Sequence, residues 1–535
     1  MPISGHFSFP QISQHPPKRL FSLSPWTRTS AFAAAICLLT TPALAQSGTG
    51  DQPLSAIEWL SRSVELPATG EAPIATSATT PAVTVTTLAR PSKDPIGLLP
   101  ARVTGLPRDL WARSAEETLV ALVRDERVDT IPVLQELLKV LMLAEADPPS
   151  DAGPDGALFL ARVDKLLDLG ALEQAKSLIE QATPDTPDLF RRWFDVALLT
   201  GTEDAACEAM QDSPAIAPTY PARIFCLARS GDWPLAALTL NTHRVLGDIS
   251  AAEEALLSRF LDPELYEGEP PLDPPTRVSP LTFRMHEAIG EPLITSRLPL
   301  AFAHADLRYT APWKAQLEAA ERLARHGAVS ENVLLKHYTE RTPAASGGIW
   351  ERAAAIQAFD RAMTAGDAQA VADTLPAAWM AMHHARAETQ FAKLYAEALQ
   401  ELNLTGSAAS LAVEVGLLSP DYEEVALLAI ERETNIDPFL TGLARGRPNP
   451  ADAMSPAERA IAEAFQMAAP PEDIAALLDE RKLGEALLRT LRLFDAAAEG
   501  DVRALGQGLG VLRRVGLEDT ARRAALQHLL LPRAR

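Results

Sequence analysis

Along most of this chain apolar residues recur every three or four positions, and the runs they define are broken by short stretches carrying Gly, Pro, Asp or Ser. That period lines side chains up along one face of a helix, and the strict alternation of a half-buried strand is essentially missing. Phe159, Val163, Leu166 and Leu167 mark one stripe; Leu172, Ala175, Ile179 and Ala182 mark the next, with Gly170 at the break. Helix starts are legible too. In "SPAERAIAEAF" Ser455 can cap, Pro456 suits the first helical position, and Glu458 completes a capping box.

The breaks share a spacing. Gly170 stands five residues before Ala175, and the same interval separates Gly201 from Ala206, Gly231 from Ala236, Gly247 from Ala252 and Gly516 from Ala521. Glycine can take the left-handed conformation that ends a helix, and a small residue one turn later lets the next helix fold back closely. Each break therefore predicts a helix hairpin. The first three glycines, 31 and 30 residues apart, predict one hairpin per repeat. The tightest break is "CLARSGDWPLAAL", residues 226–238, where Trp233 is expected to wedge the hairpin corner, with ligand stacking as the alternative.

Over residues 159–187 the positions Phe159, Leu166, Gly170, Leu172, Ala175, Ile179, Ala182 and Pro187 match a known order: large, large, glycine, aromatic, alanine, large, alanine and proline. In this order the chain resembles the tetratricopeptide family, whose helix pairs stack into a superhelix. The likeness extends over about a third of the sequence. It departs at Val163, where the family carries a small residue, in its shorter repeat, and beyond Asp262, where no regular register continues. The resemblance implies an all-α fold of helix hairpins stacked as an α-solenoid, with a concave protein-binding surface.

The first part of the chain reads differently. Lys18, Arg19 and Arg28 precede an apolar run at 31–39 that ends in Ala43-Leu44-Ala45, which predicts a signal peptide over 1–45 and a periplasmic protein. The run is too short for an ordinary membrane span. Ile36 before Cys37 argues against lipid attachment, and "PKRLFSL", with Lys18 in place of the first arginine of a twin-arginine signal, makes Sec export the expected route. Residues 46–106, rich in Pro, Thr, Ala, Ser and Gly, predict a mobile tether in which Ile57, Leu60 and Val64 form a short amphipathic helix. Prolines 270, 271, 274, 275 and 280, and again "ARGRPNPADAMSP", interrupt the helical pattern. They predict helical domains over 107–265, 281–450 and 451–535, with a Pro-rich connection at 266–280.

The chain carries 49 basic and 70 acidic side chains, a net charge of −21, and removal of 1–45 takes away three positive and no negative charges to leave −24. Nucleic acid and anionic lipid are poor partners for that surface. Two cysteines remain after the expected cleavage. Cys207 and Cys226 stand level on either side of "DSPAIAPT" and predict a disulfide across a hairpin, in preference to two separate buried thiols.

Catalytic patterns are missing: there is no GxSxG elbow, no phosphate-binding Gly-Lys loop and no HExxH. No cofactor or metal site is predicted. "GQGLG", residues 506–510, continues a helical pattern instead of following a strand, and the neighbours His383 and His384 would point about 100° apart on a helix. Ser346-Gly347-Gly348 opens a helix whose free amides could cradle an anion, but a plain loop anchored by a buried Trp350 is preferred, leaving Ser346, Gly347, Gly348 and Trp350 as a candidate recognition loop. Residues 281–308 are the least repeat-like and are expected to cap the first domain or to shape a cleft. These features predict an exported, non-catalytic helical-repeat scaffold that binds an envelope protein or peptide. The alternative is a cell-wall glycan enzyme or its regulator, because soluble lytic transglycosylases also carry long exported α-superhelices. Their Glu-Ser motif and following glycine-rich pattern are not found here, and Glu351 and Glu388 have no identified catalytic partner.

Overall fold

The computed structural model describes residues 92–467 and 469–532. The signal peptide expected at 1–45, and the part of the tether at 46–91 with its expected short helix, lie outside the described residues. Among the described residues all regular structure is helical and there is no strand. The one β-type pairing among the described residues is a parallel bridge between Leu99 and Ala144.

The helices form where the apolar period predicts them, and successive helices fold back on each other. Ala157–Asp168 and Leu172–Ala182 bury Phe159, Val163, Leu166, Leu172, Ala175 and Ile179 almost completely. Gly170 between them takes φ +67°. The positive φ calls for glycine, and a Cβ there would also crowd Leu300 Cγ at 3.0 Å; the Gly170 carbonyl accepts from His304 Nε2 at 2.7 Å, tying the turn to the neighbouring segment. Gly201, Gly231, Gly247 and Gly516 share the positive φ. Ala175, Ala206, Ala236 and Ala521 are wholly buried one turn later. Ala252 is different: it is exposed, because Ala251–Leu261 fully buries only Leu256 and Leu257 and turns its first residues outward. The capping box read in the sequence is formed, with Ser455 N donating to Glu458 Oε2 at 2.8 Å and Glu458 N to Ser455 Oγ at 3.1 Å.

Residues 92–106, expected to belong to the mobile tether, are packed instead. Asp94 is fully buried and accepts from Phe159 N at 2.6 Å. Arg162, also fully buried, donates to the carbonyls of Asp94, Met142 and Ala144 at 2.8–2.9 Å. Burial pushes this guanidinium down to about 10. A buried cation needs acceptors, and the 92–106 strap supplies one of them.

The core draws on distant parts of the chain. One apolar cluster joins residues between Leu106 and Leu189 to residues between Val413 and Leu526, so the segments expected at 107–265 and 451–535 share a core. Val133 N donates to Gln527 Oε1 at 2.9 Å, and Gly484 N to Leu110 O at 3.1 Å. Helix Pro132–Leu143 is the common partner: Glu136 accepts from Lys393 and Arg523, and Lys139 donates to Gly327 O at 2.6 Å. A second cluster is built mainly from residues 313–399, and a third from 190–285. The Pro-rich stretch has no helix between Pro263–Tyr266 and Pro280–Ala288.

Candidate functional site: an apolar helix face

The third cluster is held by covalent and ionic links. Cys207, in Glu203–Asp212, and Cys226, in Tyr220–Arg229, form a disulfide with their α-carbons 5.0 Å apart. The pairing is the one their level positions predict. Glu203, itself buried, accepts from Arg284 at 2.7 Å and faces Arg229 at 3.3 Å; Glu287 accepts from Arg284 and from Arg308 at 2.7 Å. Burial works against the Arg284 charge, but Glu203 and Glu287 outweigh it and hold the guanidinium above its ordinary value. This ladder ties the stapled hairpin to Pro280–Ala288 and to the turn that follows Ala303–Asp306.

Helix Trp233–Leu246 packs against that platform by one edge only. Asp232 caps it by accepting from Leu235 N at 3.2 Å, and Gly247 closes it in the left-handed conformation. Only Ala236 and Leu240 are buried. At about 100° per residue, Leu235, Leu238, Thr242, Val245 and Leu246 fall on the opposite side within an arc of about 100°. Leu238 is 62% exposed, Val245 80% and Leu246 66%. The polar residues nearby do not wet this face: Thr239 and Thr242 turn their hydroxyls back to the carbonyls of Leu235 and Leu238 at 2.7 and 2.8 Å. Both ionisable groups of the helix point elsewhere, His243 to Asp248 at 2.8 Å and Arg244 to Glu254 at 3.0 Å. The result is a charge-free apolar stripe that no described residue covers.

The residues singled out in the sequence are dispersed. Trp233 does not fill the hairpin corner; it is 46% exposed, with its ring 6.4 Å from Phe260, because the helix starts at Trp233 itself and directs the indole to the rim of the platform. Gly170, Gly201 and Gly231, with Ala175, Ala206 and Ala236, are turn and packing positions in separate hairpins. Ser346, Gly347 and Gly348 are exposed, and both glycines take positive φ. Trp350 is half-buried, not enclosed, since it leans on the buried Trp313 at 5.1 Å and leaves its other side open. Arg352, the first cation after that loop, is committed to Glu321 through bonds of 2.8 and 2.7 Å.

His383 and His384 diverge. His383 lies 2.8 Å from the buried Glu388, whose hydrogen bond holds the imidazole above its usual value, whereas His384 is exposed. Among the described residues, no group of three or more His, Cys, Asp or Glu side chains is placed to hold a metal. Sequence reasoning missed the apolar stripe, although the signal was present: "PLAALTLNTHRVL" has leucines on two faces, one more than a single packed edge can bury. Comparison with family models, with curated proteins and with solved structures finds no match for this chain.

Proposed function

We propose that this chain is an exported, non-catalytic scaffold of the bacterial cell envelope, its helix hairpins stacked in the manner of tetratricopeptide solenoids. Its docking surface is the stripe on Trp233–Leu246, and its partner is an apolar or amphipathic segment of another envelope protein. The uncovered stripe carries this reading, because contiguous apolar surface rimmed by polar groups is characteristic of protein-binding sites. A disulfide in the supporting hairpin suits an oxidising compartment. A net charge of −21 disfavours nucleic acid, and no described helix is long and apolar enough to cross a membrane.

The test places a photo-crosslinking side chain at Leu238 or Val245 in the exported protein, with the exposed Glu351, on Ile349–Ala365, as a control. The same small set of envelope proteins should be captured from both stripe positions and not from the control. Background capture alone from the stripe overturns the reading.

A further inference from the structure

A cavity of about 150 Å³ lies where five separate parts of the chain meet: the start of Pro132–Leu143, the end of Trp313–Arg325, the turn between Ala368–Ala385 and Glu388–Glu401, the end of Leu483–Ala498, and the last residues of Glu518–Leu530. Its walls include apolar Ile131, Pro132 and Leu531, and two guanidinium groups, Arg325 and Arg386. Two carboxylates, Glu388 and Asp129, line it as well. Glu388 lies 2.8 Å from His383 and Asp129 3.8 Å from His326.

Neither arginine makes a direct ion pair with a carboxylate among the described residues. Arg325 donates only to the Ala385 carbonyl, at 3.1–3.2 Å, and the Arg386 guanidinium makes no hydrogen bond or ion pair among the described residues. Burial, and next the charge of Arg386, hold the Arg325 guanidinium below its ordinary value and outweigh the opposing charges of Glu321, Asp129 and Glu388, so the two cations repel each other. Arg386 also occupies an unusual backbone position. It ends its helix at φ +53°, in the left-handed region that glycine fills at Gly170 and Gly366. A side chain is strained there, and what arginine adds at this turn is a charged fork on the cavity.

We propose that this cavity binds a small carboxylate, gripped between Arg325 and Arg386 with its short carbon chain against Ile131, Pro132 and Leu531. An anion placed there relieves the repulsion between the guanidiniums and gives each a directly hydrogen-bonded anionic partner. The volume limits the ligand: it is well below the roughly 300 Å³ at which drug-sized sites begin, so only a few carbons accompany the carboxyl group. A free organic or amino acid and the last residue of a peptide present the same chemistry. This inference is independent of the apolar stripe on Trp233–Leu246.

The test is calorimetric titration and thermal shift of the full chain with propionate, L-alanine and L-alanyl-L-alanine, with inorganic phosphate as a competing anion class. Saturable binding of at least one carboxylate, accompanied by a rise in melting temperature, is expected. Alanine binding without the dipeptide identifies a free acid, and preference for the dipeptide identifies a chain end. Because the Arg386 side chain has no partner, Arg386→Gln should keep the melting temperature of the free protein and weaken binding at least tenfold. Arg386→Lys should fall between them. No saturable binding of any carboxylate, binding of phosphate alone, or carboxylate affinity unchanged in Arg386→Gln overturns the proposal.

Discussion

Gly484 lies directly against the indole of Trp111: a Cβ at position 484 would stand 2.4 Å from Trp111 Cε3 and 2.7 Å from the Leu110 carbonyl oxygen. Trp111 is completely buried, so this contact seals the described beginning of the chain against Leu483–Ala498. Gly484→Ala should therefore destabilise the protein by about 1–3 kcal/mol through overpacking. Urea unfolding measures it, and Trp111→Phe in the same chain should recover part of the loss. An unchanged midpoint in Gly484→Ala would show that the two segments are not in contact.

Arg162 organises the strap before it. Arg162→Leu removes the donors that satisfy three buried carbonyls, and the expected loss is about 3 kcal/mol or more. Limited proteolysis followed by mass spectrometry gives a second readout. Residues 92–106 should resist cleavage in the wild-type chain and become cut in Arg162→Leu; equal resistance in both would remove Arg162 from this role.

The disulfide closes a loop with a sequence separation of 19 residues, which corresponds to about 3 kcal/mol of constraint on the unfolded chain. The Cys207→Ala, Cys226→Ala double variant should melt lower, and reductant should lower the melting temperature of the wild type alone. Non-reducing mass spectrometry of the exported protein should recover the linked peptides. Two freely alkylatable thiols would contradict the pairing.

Glu126 is buried beside Arg492, and desolvation, only partly offset by that arginine, raises its carboxyl from 4.5 to about 7. The folded state then binds the proton more tightly than the unfolded state does. The contribution of this group is favourable below the unfolded value and is lost as pH rises from about 4.5 through about 7. Glu126→Gln should flatten that decline and raise stability at pH 8 by on the order of 2 kcal/mol. Parallel pH profiles for the variant and the wild type would refute the assignment.

The helices, their glycine turns and the cysteine pairing were legible because each depends on neighbours within a few tens of residues. A 3.6-residue period shows which face is apolar, a glycine before a small residue marks a hairpin, and two cysteines level about one turn can meet. Long-range partnership leaves no such mark. Nothing around Asp94 names Arg162, nothing in "KLGEAL" names Trp111, and Arg325 and Arg386 come together only because three other segments converge beside them. The exposed stripe on Trp233–Leu246 follows the same logic. The period states that a face is apolar, but whether that face is buried depends on what the rest of the chain places against it, and here the stapled platform covers only the edge at Ala236 and Leu240.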